Sequence, residues 1–166
     1  GVVRVETSDE LFNALETLSR MKPMRGERLA ILCNGMGPNA LATERLLNKQ
    51  GKLSELTEES IEQLAEFMPE RWNRSNPVDL DATADPERFS KAVRILTKDQ
   101  NVDAVLVLHA PTRLAPAVET ADRVIEVAKK TPRNVLTCWM GRATAIEARN
   151  HCNAAGISTF LTPEES

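Results

Sequence analysis

The chain has 166 residues, 42% hydrophobic and 27% charged. That is enough for one domain burying roughly 70% of its unfolded surface without disulfide or metal staples, and too apolar for disorder. Its formal charge is −3, with 4% aromatic residues and no Tyr, so neither a nucleic-acid backbone binder nor a base-stacking platform is expected.

Gly1 leads into a strand-like run, Val2-Val3-Arg4-Val5. Thr7 to Glu10 has capping-box spacing and predicts a helix with Leu11, Leu15 and Leu18 on one face, stopping before Pro23. Arg28 to Cys33 is a nearly unbroken apolar run, as in a strand buried on both faces of a parallel sheet. Asn34-Gly35-Met36-Gly37-Pro38 reads as a sharp turn with positive φ at both glycines, before a helix from Ala40 to Gln50 that Gly51 ends. Lys52 to Leu56 is a weak strand, and Thr57 caps an acidic-headed helix reaching Phe67. Asn76 to Leu80 reads as extended chain, and Asp85 caps a helix to Thr97. Then come the strongest strand, Val102 to Leu108, a helix from Pro116 to Lys130, and a strand from Asn134 to Cys138. A helix from Thr144 closed by Gly156 and a strand from Ile157 to Leu161 complete the series. The final Thr162 to Ser166 opens like a helix that never continues, so both ends read as cuts in a longer chain.

This alternation predicts a single α/β domain over 1–166, an open parallel sheet with helices on both faces. In a flavodoxin-like order, ligands bind beyond the carboxyl ends of the strands where strand order reverses. The sequence places that reversal between the strand ending at Cys33 and the one beginning near Pro77. The Asn34 to Asn39 and Asp79 to Asp85 loops then flank it, and His109 to Arg113 and Trp139 to Arg142 share the rim.

Glycines at positions 35 and 37 occupy the first two places of a dinucleotide fingerprint, but Ala40 stands in the third and no well-placed acidic residue follows the next strand. The helix start can still cradle an anion. His109 reads as a structural histidine before a general base, and Trp72 and Trp139 as packing anchors. Arg113 and Arg142 offer carboxylate or phosphate clamps. Asp79, Asp81 and Asp85 form a candidate cation cluster, although Asp85 is explained as an N-cap. The odd count of three cysteines, Cys33, Cys138 and Cys152, has no metal-ligand spacing and suits free thiols in the cytoplasm. The longest apolar run, around Ala104 to Leu108, falls far short of the ~20 residues of a membrane span.

Several segments together resemble the third flavodoxin-like domain of ADP-forming acyl-CoA synthetases. They are Gly1 to Val5 with Glu10-Leu11, Leu29 to Gly37, Asn76-Pro77-Val78-Asp79, Asp103 to Val107 and Trp139-Met140-Gly141. Asp103 to Thr112, Cys138 to Gly141 and Ala155 to Thr159 look most like the branch fused to a GNAT-type domain, the Pat-type protein lysine acetyltransferases. That resemblance implies a succinyl-CoA synthetase-like domain without catalytic residues or cofactor of its own, serving regulation by acetyl-CoA and assembly. The whole protein would use acetyl-CoA, with ATP as a further ligand, and acetylate acetyl-CoA synthetase. Its partners would be the other domains of the same chain and a second copy of itself.

The family's phosphohistidine motif matches neither His109 nor His151. By resemblance, the Asn34 to Pro38 loop and the following helix face the phosphohistidine loop of a neighbouring domain, and Met36 interrupts a Gly-Gly pair usual in active synthetases. The candidate ligand or interdomain contacts are Asn34, Gly35, Met36, Gly37, Asn39, Asn76, Thr112 and Arg113. Two alternatives are a phosphoryl-transfer domain of an active ADP-forming synthetase and an independent nucleotide-binding module. A domain of either synthetase-like kind makes no acyl-CoA and acetylates no lysine when isolated.

Overall fold

Local hydrogen bonding starts three of the helices where the sequence places them. In a computed structural model describing residues 5, 7–24 and 26–166, the Thr7 hydroxyl accepts from the Glu10 amide at 3.1 Å and opens α1 (Ser8–Arg20). Thr57 does the same for α3 (Glu58–Ala65), accepting from Ser60, and Asp85 for α4 (Pro86–Leu96), accepting from Arg88 at 2.8 Å. The strand-like run at Val2 to Val5 lies, apart from Val5, outside the described residues.

The remaining helices are α2 (Met36–Asn48), α5 (Ala117–Ala128) and α6 (Ala143–Ala154). The strands are β1 (Arg28–Cys33), β2 (Lys52–Leu53), β3 (Val78–Asp79), β4 (Ala104–His109), β5 (Asn134–Trp139) and β6 (Thr159–Phe160). Every pairing is parallel and the order is β2-β1-β4-β5-β6, the open α/β sandwich expected.

The reversal of strand order corrects the sequence reading. β4 pairs along Leu29 to Cys33, so β2, which pairs with Arg28 and Leu29, and β3, which pairs with Leu32 and Cys33, share the other edge of β1. The reversal therefore lies between β1 and β4, and its flanking loops follow Cys33 and His109. Asn76 joins the two half-strands. Its Oδ1 accepts from Ile31 N at 2.9 Å, and its Nδ2 donates to Leu29 O at 2.9 Å and Ser54 O at 3.0 Å, standing in for backbone where neither half-strand reaches β1.

Strand alternation divides the core in two. Ala30, Leu32, Val105, Val107 and Trp139 face the layer containing Leu64, Phe89, Val93, Val124 and Ala148, on α3 to α6. Ile31, Cys33, Leu106, Leu108 and Cys138 meet Ala42 and Leu46 of α2 on the opposite face. The Leu11, Leu15 and Leu18 face of α1 is exposed, and α1 buries no residue.

Helix ends also depart from expectation. Gln50, with φ 61°, takes the left-handed position after α2, while Gly51 N bonds to Leu46 O at 2.8 Å. Gly51 is needed for space instead, since a Cβ there would lie 2.2 Å from Leu46 Cδ1. Gly156, with φ +73°, ends α6 as the sequence predicts.

Candidate functional site

The loop leaving β1 is fixed across the strand-order reversal by a side chain. Asn34 is buried, its Nδ2 donating to Ala110 O at 2.9 Å while its Oδ1 accepts from Ala110 N at 2.8 Å. The clamp ties the ends of β1 and β4 together and sets the direction in which α2 begins. Gly35 is the N-cap of α2 with an extended φ of −174°, and neither Gly35 nor Gly37 has positive φ. The expected left-handed turn is replaced by a helix that starts early and takes in Met36 and Gly37.

No side chain caps α2 and its first turn carries no acidic residue. This positive helix end therefore opens onto the rim without a carboxylate of its own. Met36 is 77% exposed at the tip.

The other candidates divide by role. Asn39 is buried, with Nδ2 reaching Val78 O at 3.4 Å, and fastens α2 to β3. Asn76 is the strand joint already described. Thr112 Oγ1 accepts from Ala115 N at 3.1 Å and shapes the loop after β4. Arg113 turns to a separate groove with Asp85, Glu119 and Arg123. Asn34, Gly35, Met36, Gly37 and Thr112 thus flank the reversal, while Asn39 and Asn76 lie toward the other edge of β1, at β3 and at the joint between β2 and β3.

The sequence reading missed a cavity of about 490 Å³ beside the α2 start, lined by Met36, Asn39, Arg71, Trp72, Asp79 and Asp81 among others. The chain after α3 doubles back to β3 and brings Arg71 and Trp72 there, a long-range return without a local signal in the sequence. The acidic residues of that loop are already engaged. Asp81 pairs with Arg71 and accepts from Thr83 N at 2.9 Å, which holds its carboxyl below the usual range. Asp79 accepts from Asp81 N at 3.0 Å. Among the described residues no group of three His, Cys, Asp or Glu is placed to hold a metal. Arg149 was also missed. It donates to Trp139 O at 2.7 Å and Gly141 O at 3.0 Å, ordering the rim after β5.

His109 is structural. It is fully buried, with ring centroids 5.7 Å from Phe89 and 4.9 Å from Trp139, and its Nε2–H donates to Ala115 O at 2.9 Å. Burial lowers its pKa. The unfolded chain then takes up a proton that the folded one refuses, so stability falls as pH drops below the unfolded value of ~6.5. Urea titrations of wild type and His109→Phe should show that loss in the wild type only; the same slope below neutral pH in both would exclude His109 as its source.

All three cysteines are buried free thiols, and burial pushes Cys33 and Cys138 up to about 12, which removes them as nucleophiles near neutral pH. No described helix is long and apolar enough to cross a membrane.

No protein-family model matches the chain. It is 32% identical over 163 residues to ADP-forming acetate–CoA ligase I of Archaeoglobus fulgidus, covering 98% of this chain and 23% of that protein. It is 29% identical over 169 residues to the alpha subunit of ADP-forming acetate–CoA ligase II of Pyrococcus furiosus, covering 99% of this chain and 37% of the subunit. Among solved structures, a Pyrococcus horikoshii OT3 protein superposes with TM-score 0.93 at 28% identity, over 99% of this chain and 38% of the other. An acetyl-coenzyme A synthetase from Ca. Korarchaeum cryptofilum shares the fold with the same TM-score at 24% identity. The chain thus spans well under half the length of these relatives. They correct the lysine acetyltransferase expectation and, with it, acetyl-CoA synthetase as a protein substrate, because the relatives are ligases by name. What this chain is similar to, along nearly all of its length, is one portion of the ADP-forming acyl-CoA ligases.

Proposed function

We propose that this chain is a phosphoryl-transfer domain of an ADP-forming acyl-CoA synthetase, whose other domains or subunits supply the phosphorylated histidine and the nucleotide and CoA sites. The reaction of the whole assembly is acid, CoA and ATP giving acyl-CoA, ADP and phosphate, in the cytoplasm. The observation that carries this reading is the uncapped start of α2, held at the strand-order reversal by the Asn34 clamp. Backbone amides and the helix dipole favour an anion there, and fixed donors need not reorganise as charge moves. No residue of this chain forms a covalent intermediate in this scheme; Asn34 positions the loop, and Gly35, Met36 and Gly37 present the amides.

The test is Met36→Glu in the full-length protein. Met36 is exposed, so the fold should survive, but a carboxylate at the helix start competes with the incoming anion. Acyl-CoA formation should fall by about tenfold or more with the melting temperature unchanged. A wild-type rate in a folded Met36→Glu protein would remove the α2 terminus from the reaction.

A further inference from the structure

At the opposite end of the sheet, where β4 and β5 begin and α4 and α5 finish, lies a groove of about 930 Å³. Five cationic side chains line it, Lys22, Arg94, Lys98, Lys130 and Arg133, against two carboxylates, Asp103 and Glu126, in a chain whose net charge is −3. Asp103 is firmly engaged and Glu126 only loosely paired. Asp103 is paired with Arg28 at 2.9 Å and lies 3.8 Å from Arg133, and Glu126 lies 3.9 Å from Arg123.

Basic residues at helix carboxyl ends often serve only to offset the dipole. Here Lys22 already does so for α5, donating from Nζ to Thr131 O at 2.6 Å and Ala128 O at 3.3 Å. The side chains of Arg94, Lys98 and Lys130 make no hydrogen bond or ion pair among the described residues. Their charge is therefore uncommitted and converges on one groove from two helices. The same groove is lined by an apolar shelf of the exposed Pro23, Met24 and Pro132, with Met24 42% exposed.

We propose that this groove binds a nucleoside diphosphate, at a site separate from the α2 terminus and independent of the function proposed for it. The two phosphates lie between Arg94 and Lys98 on one side and Lys130 and Arg133 on the other, and the planar base rests on the Pro23–Met24 shelf. An inorganic anion would leave the shelf bare, and an uncharged nucleoside would leave the cations unanswered. The groove's volume is within the range of small-molecule sites.

Calorimetric titration of the 166-residue chain with ADP, adenosine and inorganic pyrophosphate tests this. ADP should bind saturably, at least about fivefold more tightly than pyrophosphate, weakening as salt is raised, with adenosine undetectable. Lys98→Glu and Lys130→Glu, both at exposed positions, should each weaken ADP binding by about tenfold or more with an unchanged melting temperature. Lys49→Glu, outside the groove with the same charge change, should leave it as in wild type. Absence of saturable ADP binding, equal affinity for pyrophosphate, or an equal loss in Lys49→Glu would overturn the proposal.

Discussion

Replacing Asn76 with alanine is expected to cost about 3 kcal/mol of folding stability. The side chain satisfies Ile31 N, Leu29 O and Ser54 O together, and Ile31 is fully buried. Truncation leaves the Ile31 amide and the Ser54 carbonyl without partners at the seam where β2 stops and β3 has not begun, while Leu29 O keeps the Ser54 amide at 2.9 Å. Each unsatisfied buried group costs about 1–3 kcal/mol, and water reaching the sheet edge recovers part of the sum. Asn76→Asp should fare no better, because a carboxylate keeps the acceptor for Ile31 N but turns an oxygen toward two carbonyls. Urea denaturation reads both. A loss below about 1 kcal/mol in Asn76→Ala would mean that the two half-strands hold their register without the joint.

Asp103→Ala should cost about 2–3 kcal/mol near neutral pH, the exposed Arg28 guanidinium regaining water once its partner is gone. Asp103 is buried and accepts from Arg28 N at 3.0 Å, Nε at 2.9 Å and Nη2 at 3.2 Å, so one carboxylate secures the start of β1 beside the start of β4. The hydrogen bond from Arg28 outweighs burial and holds the carboxyl below its ordinary range. A carboxyl with a depressed folded pKa contributes stability above its unfolded value of ~3.9, and that stability is lost as pH falls through the folded value. The wild type should therefore lose stability in two steps on acidification, the His109 step just below ~6.5 and the Asp103 step below ~3.9. Asp103→Ala should shrink only the second, because Asp81 and Asp99, whose carboxyls are also held below the ordinary range, still contribute to it. Parallel acid titrations of wild type and variant would refute this if the step below ~3.9 persisted unchanged in the variant.

The sequence revealed features governed by neighbours a few residues away. Thr7, Thr57 and Asp85 cap helices because each needs only an amide three residues on, and the apolar runs of β1, β4 and β5 identify themselves as strands buried on both faces. Features depending on distant partners were hidden. β2 and β3 are two residues each, too short for periodicity to reveal, and the asparagine joining them bonds to residues 45 and 47 positions away. The turn after Cys33 stood out by its glycines as a candidate anion contact, but the positive φ expected of them is not realised. Asn34 reaches 76 residues on to Ala110, and that clamp lets α2 begin at Met36. The cavity at Trp72 and the basic groove had no local signature, since each gathers side chains from several separated segments.

The split edge of the sheet has a consequence for life in a crowded solution. A continuous outer strand exposes a row of backbone donors and acceptors on which a foreign strand can template itself. Here each half-strand is only two residues long, with Asn76 between them, and β6 at the far edge is equally short. An incoming strand would find no long, regular stretch to pair with at either edge. The same interruption that makes Asn76 costly to lose thus guards the domain against edge-to-edge aggregation.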